Sequence, residues 1–285
     1  MKDISIIIVN WKVRLLLKKC LDSILKYKDD LDIEIFVIDN DSKDGSPKMI
    51  TTNYPEVNMI ALKSNYGFAK ANNLGLKRAK GKYLLLLNPD TEITKDFFKK
   101  VIKYLDKHTD IGILGPQILN PDKSKQDSVR RFPTFFSQIL VLLKLKNILS
   151  NNKFLTHYLH KSFDYNKIQK VDQVMGAAFF IRRSVLEKIG LLDENFFIWF
   201  EEVDYCKRAN KFGFVVKYFS EANIIHKGGA SFNKQSVIKN QMIFNKSLLR
   251  YFKKHKSFIE YLFLLFLIPL NLFLTYSYAI FYKKK

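Results

Sequence analysis

The first hundred residues alternate between short apolar runs and segments whose apolar positions recur three and four apart. Residues 4–9 are apolar and mostly β-branched and end at Asn10 and Trp11, after which Leu16, Cys20, Ile24 and Tyr27 follow at helical spacing. Residues 33–38 repeat the strand pattern. They end in Asp39, Asn40 and Asp41 and continue through Ser42, Asp44, Gly45 and Ser46, a stretch dense in turn and cap residues. Residues 58–62 predict a third strand, 65–69 a polar turn around Gly67, and 71–79 a helix. This alternation predicts parallel βαβ units in a doubly wound sheet.

Leu84 to Leu87 is an unbroken apolar run, preceded by Gly81 and stopped by Asn88, Pro89 and Asp90. Such a run suits a central parallel strand covered on both faces. In open α/β sheets ligands bind beyond the carboxyl ends of the strands, which puts Asp90 at a ligand position; taken alone, Asn-Pro-Asp equally suits an ordinary turn. Residues 96–108 predict a helix and 112–115 a short strand with Pro116 behind it. Residues 120–170 read as an irregular or partly helical insertion carrying Arg130 and Arg131. A strand returns at 174–181 with the small residues Gly176, Ala177 and Ala178, which admit a close backbone or ligand. Residues 201–212 predict a helix opened by Glu201, Glu202 and Asp204, acids that are favourable at any helix amino terminus. Two short strands, 214–218 and 222–225, lead to a loop with His226, Gly228, Gly229 and Ser231.

Residues 261–282 are 22 positions without a charge. As a helix they would extend roughly 33 Å, near the thickness of a bilayer core. Membrane association is expected, as a kinked span, a re-entrant segment or an interfacial helix, with a buried closing helix as the alternative. The chain then divides into a globular part, 1–256, and a membrane-associating segment, 257–285. Lysine and arginine number 48 against 27 acids, a net charge of +21, which favours anionic partners. Lys246, Arg250, Lys253 and Lys254 lead into the apolar tail, where they either meet headgroups or form a solvated face. Cys20 and Cys206 lack metal-type spacing, so neither a disulfide framework nor a zinc site is expected. The amino terminus reaches a strand within three residues and has no leader pattern, so activity is expected on the cytoplasmic side. Asn10-Trp11-Lys12-Val13 lacks the glycine-rich dinucleotide fingerprint, and no nucleic-acid-binding motif accompanies the positive charge.

In their order and spacing, these motifs resemble the inverting glycosyltransferases of family 2, most closely the rhamnosyltransferase-like bacterial and archaeal branch. The resemblance covers about residues 4–255. It is carried by Val9-Asn10-Trp11, Asp39-Asn40 with Ser42 and Asp44, Asn65-Tyr66-Gly67 with Asn72 and Asn73, and Asn88-Pro89-Asp90. Arg131-Phe132-Pro133, Gly176-Ala177, Glu201-Glu202-Val203-Asp204 and His226 complete it.

The resemblance implies the GT-A fold, a Rossmann-like mixed α/β sheet with helices on both faces, followed here by a hydrophobic helical segment. It implies a nucleoside-diphosphate sugar donor, Mg²⁺ or Mn²⁺, and a glycan or polyprenyl-diphosphate-linked acceptor; the apolar tail and the lack of a leader pattern add the expectation of contact with membrane lipid on the cytoplasmic face of the cell membrane. Nucleic acid is not expected as a partner. Donor binding would fall to Asn10, Asp39, Asn65, Gly67, Asn72, Asn88, Asp90 and Arg131, with Asp39 on the pyrimidine base. Acceptor binding would fall to Gly176, Ala177 and Glu201, and the metal to Asp90 and His226. A lone histidine also suits a purely structural role. Where the family's metal motif has two aspartates, the first is here Asn88, a neutral ligand that should hold metal more weakly without donor. The base position, the second acid of the family's Glu-Asp pair, carries Glu202, with Asp204 as the alternative. Rhamnose or a similar sugar is the expected group transferred. The runners-up are a hexosyltransferase using a uridine-linked donor and a catalytically silent binding protein on the same scaffold.

Overall fold

The computed structural model describes residues 2–231 and 234–282. Strands β1 (Lys2–Asn10), β2 (Ile33–Asp39), β3 (Val57–Ala61) and β4 (Gly81–Leu87) lie parallel in the order β3-β2-β1-β4. Helices α1 (Arg14–Tyr27), α2 (Ser46–Asn53) and α3 (Phe68–Leu76) make the crossovers. The four leucines of β4 explain its central place. Successive side chains leave a strand on opposite faces, so Leu85 and Leu87 enter one core while Leu84 and Leu86 enter the other, all at most 3% exposed. Register aligns Asn10 with Asp39 and Ile8 with Leu87, so the polar residues that stop β1, β2 and β4 emerge on one edge of the sheet.

The second half supplies the antiparallel pairing that the resemblance to a mixed sheet implies. After β5 (Thr91–Ile93), α4 (Phe97–Lys107) and β6 (Ile111–Leu119), strand β10 (Ala178–Arg182) inserts antiparallel between β4 and β6. The sheet is mixed. Pro116 lies within β6 instead of behind it: β10 pairs only with Ile113 and Leu114, and beyond them one edge of β6 is free of that partner, where a residue without an N–H is tolerated. The two short strands expected after residue 213 are one, β11 (Val215–His226), with a register break between Phe219 and Asn223. Likewise the single strand expected over 174–181 is two pieces, with Gly176 and Ala177 in the connection between β9 (Gln173–Val174) and β10.

The insertion holds β7 (Val129–Arg130), which pairs with β9, the helices α5 (Phe135–Leu142) and α6 (Lys153–Tyr158), and β8 (Gln169–Lys170), which pairs with β11. Then come α7 (Arg183–Ile189), α8 (Glu201–Lys211), α9 (Val237–His255) and α10 (Phe258–Tyr282). Helix α10 doubles back along α9 and touches α5. Leu264, Asn271 and Thr275 are buried on that side; Asn271 accepts from Asn245 Nδ2 at 2.8 Å and donates to the Leu142 carbonyl at 2.6 Å.

Candidate active site

A cavity of about 480 Å³ opens at the carboxyl edge of the sheet, lined by Asn65, Gly67, Asn88, Asp90, Gly176, Ala177, Glu201, Glu202 and His226 among others. Residues far apart in sequence meet there because β4, the turn before α3, the start of β10, the start of α8 and the end of β11 all finish on this edge. The turn before α3 is fixed from below. Asn40 accepts from Tyr66 N at 2.9 Å and donates to the Gly67 carbonyl at 3.1 Å, while Asn65 Oδ1 accepts from Gly67 N at 2.9 Å. Gly67 has φ +86°, and a Cβ there would lie 2.4 Å from the Phe197 carbonyl oxygen, so the close approach of these two chains requires glycine.

Asp90 and His226 face each other, Oδ1 to Nε2 at 3.3 Å, each side chain 8% exposed. The other ring nitrogen, Nδ1, bonds Gln126 Oε1 at 2.7 Å. With Nδ1–H donating to that amide oxygen, Nε2 turns a lone pair toward the Asp90 carboxylate, two electron-rich groups that a proton or a cation would join. The Asn88 side chain stands 3.4 Å from the same Nε2. A carboxylate, an imidazole and an amide are a donor set that would fit a divalent cation. Among the described residues no group of three or more His, Cys, Asp and Glu side chains converges as a metal cage, so the protein's share of such a site is small.

Glu201 and Glu202 open α8 from the far side of the cavity. They follow Trp199 and Phe200, two consecutive residues in the left-handed region at φ 64° and 67°. Burial, together with the neighbouring Glu202 carboxylate, lifts Glu201 well above the usual carboxylate range. Burial also raises Glu202, against the opposing pull of the Arg130 guanidinium. Each has one carboxylate oxygen buried without a protein partner. Gly176 faces Glu202, whose Cβ and Cγ stand 3.9 Å from where a Gly176 Cβ would be, an ordinary contact distance.

The other expected site residues lie elsewhere. Asn10 is buried beneath the cavity, donating to Asp39 Oδ1 at 2.8 Å and Ser42 Oγ at 3.0 Å; Asp39 Oδ2 accepts from Ser42 N at 3.0 Å. Asn72 is buried within α3 and bonds the Phe68 carbonyl. None of these three lines the main cavity. A second, more open hollow of about 490 Å³, lined by Trp11, Lys12, Asp41, Ser42, Lys43, Asp44, Asn65 and Lys234, flanks them. Arg131 does not line the main cavity; Arg130 does, because neighbours along an extended chain point opposite ways. Asp204 also lies off the cavity wall. One helical step beyond Glu202 and Val203, it turns into the interface with α9 and is tied to Arg208 at 2.8 Å, Lys254 at 2.7 Å and His255 at 2.7 Å.

The family model described as glycosyl transferase family 2 matches residues 5–190 of this 285-residue chain. The chain belongs to that family. Its relatives in family 2 include a low-salt glycan biosynthesis hexosyltransferase of Haloferax volcanii, 28% identical over 214 residues, 73% of this chain and 62% of the relative. The N-acetylglucosaminyl-diphospho-decaprenol L-rhamnosyltransferase of Mycobacterium tuberculosis is 24% identical over 205 residues, 68% of this chain and 66% of the relative. The chain thus spans just under two thirds of these relatives' length. GalNAc-T7, solved with UDP, GalNAc and Mn²⁺, superposes with a TM-score of 0.58 at 17% identity, over 79% of this chain and 44% of that one. This likeness supports the GT-A fold.

Within this family 2 chain, sequence reasoning missed Gln126, Ile198 and Trp199 as parts of the cavity wall, and of the two neighbouring arginines it put Arg131, not Arg130, in the donor set. Gln126 carries no motif. Only its position opposite His226 reveals it.

Proposed function

We propose that this chain transfers rhamnose or a closely similar sugar, with inversion, from a nucleoside-diphosphate donor to a lipid-linked or surface-glycan acceptor. The observation that carries this reading is that the Asp90–His226 pair and the unpartnered carboxylate of Glu202 line one cavity. A departing diphosphate gathers negative charge, and a Mg²⁺ or Mn²⁺ ion held by Asp90, His226 and Asn88 would neutralise it as a Lewis acid. Glu202 acts as base. The acceptor hydroxyl forms its bond to the anomeric carbon as the bond from that carbon to the diphosphate breaks on the opposite side, and the hydroxyl proton passes to Glu202. A raised pKa makes the Glu202 carboxylate a stronger base, and Arg130 keeps its ionised form available. Gly176, Ala177 and Glu201 shape the acceptor side; Asn65 and Gly67 receive the donor, and the buried Asn10, Asp39 and Asn72 support that side.

Residues 257–285 serve in this reading as the membrane-associating part, on the cytoplasmic face, where a polyprenyl-linked acceptor is drawn from the lipid. The relative that acts on a decaprenol-linked substrate supports that class of acceptor. A hexosyl group from a uridine-linked donor is the second reading, favoured by the archaeal hexosyltransferase and by the UDP-bound neighbour.

The test is release of nucleotide by the purified chain from thymidine, uridine and guanosine diphosphate sugars, with Mn²⁺, Mg²⁺ or chelator, with and without a polyprenyl-diphosphate-linked acceptor. The expected result is metal-dependent release of one nucleotide that is lost in Asp90→Ala. Release of UDP alone would select the hexosyl reading. Absence of both turnover and nucleotide binding in every arm would overturn the enzyme reading.

A further inference from the structure

We propose that α10 lies in the plane of an anionic membrane surface without crossing it, and that α5 and the segment leading to α6 form a second lipid-facing arm beside it. This deepens the membrane-associated reading above and names how the contact is made. By length and apolar composition, residues Phe258–Ile280 could cross a bilayer. Their packing argues otherwise. Asn271, at the middle of α10, is buried against Asn245 of α9 and Leu142 of α5, so the centre of the helix is pinned to the protein. Lys246, next to Asn245, is exposed, as are Lys239 and Lys253 on the same helix. If α10 crossed the bilayer in this packing, Lys246 would be carried to the hydrocarbon centre, the most unfavourable depth for an unpaired charge.

The face of α10 turned from the protein presents Ile259, Phe263, Phe266, Leu270 and Phe273, between 44% and 79% exposed. Their spacing of four, three, four and three keeps them on one stripe along the helix. The stripe continues onto the arm: Phe263 packs on Phe135 at 5.3 Å, and Phe136 and Ile148 on that arm are 54% and 76% exposed. Residues 135–161 contain four lysines, Lys144, Lys146, Lys153 and Lys161, and no acid. An apolar surface whose arm carries lysines and no acid complements a bilayer with anionic headgroups, because the aromatic side chains enter the headgroup boundary while the ammonium groups remain among phosphates.

The test uses the full chain with vesicles of phosphatidylcholine mixed with phosphatidylglycerol, and tryptophan introduced singly as Ile259→Trp, Phe266→Trp, Phe273→Trp and Phe136→Trp. Quenching by lipids brominated at defined acyl depths is read against the parent protein. In-plane docking gives all four positions the same shallow depth. A crossing helix deepens by about 1.5 Å per residue from Ile259 toward its centre, and that gradient would overturn the proposal. An unquenched Phe136→Trp would remove the arm. Phe266→Asp with Phe273→Asp should weaken vesicle binding about tenfold or more while leaving the thermal midpoint unchanged. Self-association in place of vesicle binding would make a second copy the occupant and sink the idea. None of these readouts needs sugar transfer, so failure of the catalytic reading and failure of this one are separable.

Discussion

His255 Nε2 and Asp204 Oδ1 stand 2.7 Å apart, joining the last turn of α9 to the first turn of α8. This pair anchors the helix that carries Glu202. Asp204→Ala would leave His255 and Arg208 without their buried carboxylate, which costs on the order of 3–5 kcal/mol. Thermal unfolding should show a large fall in midpoint, while kcat measured well below that midpoint changes little. A loss of kcat at unchanged midpoint would return Asp204 to the candidate bases.

Acid should act on the same pair. Burial alone would raise the pKa of Asp204, but bonds from His255 and Lys254 and the Arg208 charge outweigh it and hold the group below its ordinary value. A carboxylate with a depressed folded pKa contributes stability that is fully present above the unfolded value, about 3.9, and is lost as pH falls through the folded one. The midpoint of wild type should therefore drop on acidification below about pH 4, and that of Asp204→Asn should drop less.

Glu202→Gln keeps shape and removes the base. A loss of about 10²- to 10⁴-fold in kcat, with donor affinity unchanged, is expected. Because the wild-type pKa is raised, the acidic limb of kcat against pH should sit above the ordinary glutamate value of about 4.3, with activity falling as pH is lowered through it. Titration of donor binding by calorimetry separates this from a collapsed site.

Asn88→Asp would add a second carboxylate next to Asp90 and His226. The Mn²⁺ concentration that gives half-maximal activity should fall by about tenfold, since an anionic oxygen ligand binds a hard cation more strongly than an amide. An unchanged metal requirement would take Asn88 out of the ligand set.

Gly67→Ala puts a methyl group 2.4 Å from the Phe197 carbonyl at a positive φ. Strain of this kind costs on the order of 1–3 kcal/mol or displaces the chain. The expected outcome is a lower midpoint together with a raised KM for donor, because the displaced segment, 197–199, lines the cavity.

The amino-terminal half of the fold was legible because it is written in local terms. Each strand is an apolar run ended by polar residues, so the run ending at Asp90 could be placed on the sheet edge before any contact was known. Glu202 was legible only through the company of the other motifs. Arg130 was confused with Arg131 because facing depends on which of two neighbours turns inward, and the charge pattern is the same either way. Asp204 and Gln126 depend on partners 51 and 100 residues away, His255 and His226, and no local pattern encodes such a distance. Helix α2 was not predicted, because the turn and cap residues run up to Ser46, and Ser46 and Pro47 suit both a turn and a helix start.

Strand β10 has a consequence for how this protein could be taken apart. It comes from the carboxyl-terminal half of the sequence, yet it hydrogen-bonds β4 on one side and β6 on the other. A fragment ending at Leu119 would expose the free edge of β4, whose leucines need cover on both faces, and would be a template for aggregation. The amino-terminal half is therefore not a portable module. Exchange of donor preference between relatives by swapping that half would have to carry β10 with it, or match its five residues against a foreign β4.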